Sequence, residues 1–176
     1  RISNENWFKQ DKPGWPHDGW ITDNWIILSN MPFSVNSDEE MKAVGDYWRF
    51  IPDQFSELLV TPRNANAPGH PNWKPSEFRK YTAPHGLIIH TGNAWEEESG
   101  ILKLESHFLT FNVFDFFNPK DYEVPKVNPS GDWVRWTLDL SKPDGTALPT
   151  LETLLHGVFD FPIFDERMTG RKTKIV

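Results

Sequence analysis

Apolar, β-branched and aromatic residues occur in this chain only as short runs, each closed by proline, glycine, asparagine or aspartate. Fifteen prolines and eleven glycines do most of the closing. Such punctuation leaves little room for long helices and predicts many short strands joined by turns. Trp25-Ile26-Ile27-Leu28 reads as a strand. Tyr47–Phe50 and Glu57–Thr61 read as a hairpin across Pro52-Asp53. The three prolines between Asn64 and Pro75 mark a long surface loop, and Phe78–Tyr81 reads as a further strand. Leu87–Thr91 is apolar enough for a strand buried on both faces, and Ile101–Ser106 starts another after the Ser99-Gly100 turn. Trp133–Leu140 alternates, with Val134, Trp136 and Leu138 on one face, and ends in the turn Lys142-Pro143-Asp144-Gly145. Only Asp38–Val44 and Leu151–His156 offer helical spacing.

Many short strands mean a sandwich, a barrel or a propeller. At about 40–45 residues for a four-stranded blade, 176 residues make about four blades. Nine Trp and thirteen Phe are enough for a sizeable core, so disorder is not expected. A net charge of −7 disfavours nucleic acid as a partner. The absence of cysteine excludes disulfides and thiolate metal sites and leaves the compartment open. No apolar run approaches the ~18 residues of a spanning helix. The opening Arg1-Ile2-Ser3-Asn4-Glu5-Asn6 does not read as a signal peptide, and the whole reads as a segment of something longer.

Two histidines stand at strand boundaries. His17 lies in the Pro/Gly turn ahead of the run that contains Trp25, and His90 closes the Leu87–Ile89 run before Gly92-Asn93. In a strand, His90 shares a face with Ile88, an odd place for an imidazole whose nitrogens lack partners. The plain alternatives are a turn residue at 17 and a core histidine bonded to backbone at 90. His70, His85, His107 and His156 complete the set, and none forms a local metal signature. His70 reads as a solvated loop residue, and His156 as a favourable cation at a helix end. Glu96, Glu97 and Glu98 read as a solvated turn. Phe108, Phe111, Phe114, Phe116 and Phe117 cannot all share one face. They read as a loop packed over the fold, or as a rim for an apolar ligand that touches a membrane surface.

Three motifs occur in order: His17-Asp18-Gly19-Trp20-Ile21-Thr22-Asp23-Asn24, His90-Thr91-Gly92-Asn93-Ala94-Trp95-Glu96-Glu97, and Phe159-Asp160-Phe161-Pro162 followed by Arg167 and Gly170-Arg171-Lys172. Together they resemble the carotenoid and stilbene cleavage oxygenase family. The likeness extends to Asp53–Arg63 and Trp133–Leu140 and covers nearly the whole chain. It implies an all-β fold, a seven-bladed β-propeller of which 1–176 is a single partial domain covering about the middle four blades. It also implies a non-haem Fe(II) held by four histidines, of which His17 and His90 are two and the others lie outside this segment. Asp160 falls where the family carries a glutamate beside a ligand histidine, one methylene shorter, and so becomes the carboxylate partner of that imidazole. Gly170-Arg171-Lys172 reads as structural in this family.

The implied reaction is cleavage of a carbon–carbon double bond of an apocarotenoid or stilbene-type substrate by O₂ into two carbonyls. The partners are an apolar polyene or aryl alkene and O₂, in the cytoplasm with a peripheral membrane contact. A non-catalytic or decayed propeller that binds an apolar ligand or a protein partner is the competing expectation. Iron content of the intact protein separates the two.

Overall fold

The computed structural model describes residues 7, 9–11, 14–63, 73–74, 77–110, 131–148, 151–158 and 161–172. Ten strands run in chain order: β1 (Trp15–Ile21), β2 (Trp25–Met31), β3 (Phe33–Val35), β4 (Trp48–Phe50), β5 (Ser56–Pro62), β6 (Arg79–Ala83), β7 (Thr91–Glu97), β8 (Ile101–Phe108), β9 (Gly131–Asp139) and β10 (Glu152–Val158). An α-helix, α1 (Asp38–Val44), lies between β3 and β4. Ser37 and Glu40 cap it reciprocally at its start, and Gly45 at φ 75° ends it. No helix among the described residues is long and apolar enough to cross a membrane.

The strands form two four-stranded antiparallel sheets, ordered β1-β2-β5-β6 and β10-β9-β8-β7, and a small β3-β4 pair. The first sheet takes residues 15–83 and the second 91–158, so each uses more chain than the blade estimate allows. In the first sheet the surplus is the excursion through β3, α1 and β4. Pairing departs from the sequence reading there. Phe50 lies opposite Phe33, while β5 is clasped between β2 and β6, so Tyr47–Phe50 and Glu57–Thr61 make no hairpin. Proximity along the chain favoured that hairpin; the apolar faces of β2 and β5 are longer and match over six residue pairs, from Trp25↔Pro62 to Asn30↔Glu57. The segment around Leu151–His156 is likewise a strand, β10, paired with β9. Its helical spacing is overridden by the free edge of β9, which supplies the backbone partners that a six-residue helix lacks. His156 therefore caps no helix. Its Nδ1 lies 3.2 Å from an Asp132 carboxylate oxygen across the β9–β10 pair.

Alternation decides which face is buried. Trp25 and Ile27 of β2, Leu58 and Val60 of β5, and Tyr81 of β6 point inward from the first sheet. Ala94, Leu102, Leu104, Val134, Trp136 and Leu138 do so from the second, and all belong to one apolar cluster. The face expected for Val134, Trp136 and Leu138 is thus the buried one. The outer edge of the first sheet is covered. After β9 the chain turns at Gly145 (φ 80°) and lays Thr146–Leu148 along β6. There the Thr82 amide donates to Thr146 and the Leu148 amide donates to Thr82. This protects an edge that would otherwise recruit another strand.

The inner edges matter most for the site. β1 and β7 face each other across the gap between the sheets without a backbone ladder, and side chains bridge them. A second apolar cluster, Met31, Phe33, Leu87, Ile89 and Leu109, closes one end, with Trp15, Trp48 and Phe50 packed against it. Leu87 and Ile89 are buried there and Ile88 in the first cluster, so the segment is buried on both sides, but it is not a strand: Leu87 makes an isolated bridge to Leu109, and the second sheet starts only at Thr91.

Candidate functional site

His17 lies in β1 and His90 immediately before β7, and both stand at backbone irregularities. The β1–β2 register shifts between Pro16 and Gly19, which places His17 and Asp18 in a bulge. The β7–β8 register shifts between Thr91 and Ala94, around Gly92 and Asn93. Bulges of this kind turn a side chain away from the direction that strict alternation would impose. His90 precedes β7 and follows a segment that is not a strand, so strict alternation does not set the direction of its side chain.

The two imidazoles are neighbours although 73 positions apart in sequence. Their ring centroids are 5.4 Å apart and their planes meet at 83°. An imidazole nitrogen sits about 2.1 Å from a first-row divalent ion and roughly 1.1 Å from its own ring centroid, so two rings on one ion have centroids about 4.5–5.5 Å apart. The observed pair fits that requirement. His17 Nδ1 lies 2.9 Å from the Ile89 carbonyl oxygen. A carbonyl only accepts, so Nδ1 carries a proton; in a neutral ring the lone pair is then on Nε2. Among the described residues no group of three or more histidine, aspartate or glutamate side chains could hold a metal. His17 and His90 are thus two adjacent imidazoles.

Aromatic rings flank both histidines. Trp15 meets His17 edge-on at 4.6 Å. Phe161 lies over His90 at 4.5 Å, tilted by 32°. Phe161 holds φ at 65°, a left-handed conformation that a bulky residue adopts only under constraint from its surroundings. Asp160 lies outside the described residues, as do Phe111, Phe114, Phe116 and Phe117. His70 does too. His107 is buried in β8, where its Nε2 accepts from the Gly131 amide, and His85 packs on Phe50. The His107 backbone amide donates to the His90 carbonyl at 3.2 Å, while its ring faces Gly131.

The remaining motif residues tie the elements together. An Asp18 carboxylate oxygen accepts from the Thr91 amide at 2.8 Å and lies 3.0 Å from the Thr91 hydroxyl, which also lies 2.8 Å from the Gly19 carbonyl. Glu96 is half-buried and accepts from the Thr22 hydroxyl at 2.6 Å, the Asn24 amide at 2.8 Å and the Asn24 side chain at 2.9 Å. Asn93 donates to the Arg171 carbonyl at 2.7 Å and the Met168 carbonyl at 3.2 Å, and accepts from the Gly170 amide. Glu96 is thus no solvated turn residue. The reading failed because its three donors lie more than 70 positions away. A carboxylate at an even spacing along β7 behind a buried Ala94 was the available signal. The Gly170-Arg171 turn serves the architecture, as expected from the resemblance.

Comparison with known proteins places these motifs in context. The family model described as retinal pigment epithelial membrane protein matches residues 1–176. Resveratrol cleavage oxygenase 1 of Botryotinia fuckeliana is 36% identical over 168 residues, covering 96% of this chain and 30% of that protein. Isoeugenol monooxygenase of Pseudomonas putida is 31% identical over 170 residues, covering 95% of this chain and 32% of its own length. Among solved structures, the lignostilbene dioxygenase of Pseudomonas brassicacearum superposes with a TM-score of 0.70 at 26% identity, over 98% of this chain and 34% of that one. The chain therefore spans about a third of the length of the relatives it matches.

Proposed function

This chain belongs to the retinal pigment epithelial membrane protein family, the family of the carotenoid and stilbene cleavage oxygenases, and from that premise we propose that it is part of an Fe(II)-dependent alkene-cleaving dioxygenase. The observation that carries the proposal is the convergence of His17 and His90 at 5.4 Å, from two different sheets. In this reading residues 1–176 are one partial domain of a seven-bladed propeller. The two four-stranded sheets are blades, and β1 and β7 are their innermost strands.

His17 and His90 would hold the iron through neutral imidazoles, with the remaining ligands supplied by the rest of the protein. Bound there, ferrous iron supplies the activation of O₂ that splits an alkene into two carbonyls. The chain's own work is positional. The Ile89 carbonyl fixes the His17 tautomer and leaves Nε2 to the metal. The resemblance assigns to Asp160, which lies outside the described residues, the role of acceptor for the second nitrogen of His90, where a carboxylate would raise the basicity of that ring. Trp15 and Phe161 present apolar faces beside the ligands, suited to a substrate without charge. No acid or base is needed, since both oxygen atoms of O₂ enter the two products. The substrate is an aryl alkene rather than a polyene, because two of the relatives described above are named for resveratrol and isoeugenol and the third for lignostilbene.

The test is turnover of the intact protein loaded with Fe(II) under ¹⁸O₂, with a hydroxystilbene and an apocarotenal as rival substrates. Two labelled aldehydes from the stilbene are expected. Labelled aldehydes from the apocarotenal alone overturn the substrate assignment. A folded protein that retains no iron and yields neither product is a non-catalytic propeller.

A further inference from the structure

Two sheets that meet without a backbone ladder can slide and rotate against each other, and the separation of His17 and His90 depends on both motions. Among the described residues, carboxylates clasp the seam between β1 and β7 at two points. At the histidine end, Asp18, next to His17, holds the amide and approaches the hydroxyl of Thr91, next to His90. At the far end, Glu96 gathers Thr22 and Asn24. The two points are four residues apart on one strand and five on the other, about 13–17 Å at the usual strand rise. One tether would leave a hinge. Two tethers running in the same direction fix both slide and rotation.

We infer that Asp18 and Thr91 are positioning residues that set the spacing of the two imidazoles before any metal arrives. This rests on the metal reading of His17 and His90, which it deepens. The Thr91 hydroxyl has one proton and two acceptors within reach, the Asp18 carboxylate at 3.0 Å and the Gly19 carbonyl at 2.8 Å, so it holds the β1 backbone in either orientation. The Thr91 amide adds a bond that no side-chain change at 91 removes. Asp18 is therefore the stronger member: removing its carboxylate leaves that amide without its acceptor, while Thr91→Val removes the hydroxyl alone. Preorganisation of this kind acts on affinity and on ligand geometry, beyond its effect on stability.

The experiment uses the intact protein, metal-free and then loaded with Co(II), whose visible bands report ligand number and geometry. In the metal-free protein, hydrogen exchange of the Thr91 amide is slow in wild type and fast in Asp18→Ala. Co(II) affinity falls about 10–100-fold in Asp18→Ala, the size usual for residues that orient metal ligands, and the bands shift. Thr91→Val shows a smaller loss, and Thr91→Ser restores the wild-type spectrum. Tyr81→Phe, which removes a hydrogen bond from β6 at the far side of the first sheet, leaves the bands in place. Wild-type bands and affinity in a folded Asp18→Ala protein overturn the inference, as does fast Thr91 exchange in wild type. A wild-type protein with a slowly exchanging Thr91 amide that binds no Co(II) overturns instead the metal reading, and with it the role assigned to the tether.

Discussion

At position 170 the backbone conformation favours glycine. Gly170 holds φ at 80°, its ideal Cβ would lie 3.3 Å from the Thr22 Cα, and its amide donates to Asn93. Gly170→Ala combines left-handed strain with a tight backbone contact and is expected to destabilise the protein by about 1–2 kcal/mol, read as a shifted denaturation midpoint. Gly92 is small for another reason: a Cβ there would meet the Trp133 ring. The histidines separate by the same logic of place. His17→Ala and His90→Ala in the intact protein are expected to abolish iron retention with the fold kept, because each removes one ligand. His156→Ala should leave iron content unchanged, since that imidazole is exposed and pairs only with Asp132. Full iron in either of the first two variants refutes the ligand pair. Asp160→Asn keeps an acceptor oxygen without the charge, and iron affinity is expected to fall about 10–100-fold.

Strands here are held by what crosses them. Arg135 of β9 reaches Glu105 of β8 at 2.6 Å, with the Glu105 side chain 5% exposed, and lies over the Trp95 ring of β7. Arg135→Leu strands a buried carboxylate, and a loss of about 3 kcal/mol is expected on denaturant unfolding. Arg135→Leu combined with Glu105→Leu should recover much of it, since replacing both partners by apolar groups removes the unpaired charge. Tyr81 of β6 gives the sheet a pH limit. Burial raises its phenol above the ordinary value, and its hydroxyl donates to the Lys142 carbonyl at 3.1 Å. A group whose proton is held more tightly in the folded state contributes stability that is complete below its unfolded pKa, about 10 for tyrosine. That contribution is lost as pH rises through the folded value. Tyr81→Phe is therefore expected to flatten the alkaline limb of a stability–pH curve above about pH 10. An unchanged limb assigns the alkaline transition to another group.

For the whole molecule, the seam between the sheets is the point of weakness and of function. Trp20 of β1 adds a bond across it, its indole donating to the Glu105 carbonyl at 2.7 Å. Glu96→Ala removes three charge-assisted hydrogen bonds at once and leaves Thr22 and Asn24 to water. A loss of about 2–3 kcal/mol is expected, with Glu96→Gln intermediate, because an amide oxygen still accepts. If Glu96→Ala unfolds at the wild-type midpoint, the far tether carries no load and the seam is held by the remaining bonds, among them those of Asp18, Thr91 and Trp20, and by the shared core.

Local order along the chain determined the strands and the family. Proline and glycine set where each run stops, and alternation set the buried face of Trp133–Leu140, because both are properties of neighbouring residues. The three motifs were legible for the same reason, each being contiguous. Tertiary structure alone decided which strands pair. β5 joins β2 rather than β4, and Glu152–Val158 completes a sheet instead of forming a helix, because backbone partners come from distant segments. It alone brought His17 to His90, and turned Asp18, Thr91 and Glu96 from motif letters into tethers. Those contacts join residues more than 70 positions apart, and no periodicity within either strand encodes the bulges that aim them.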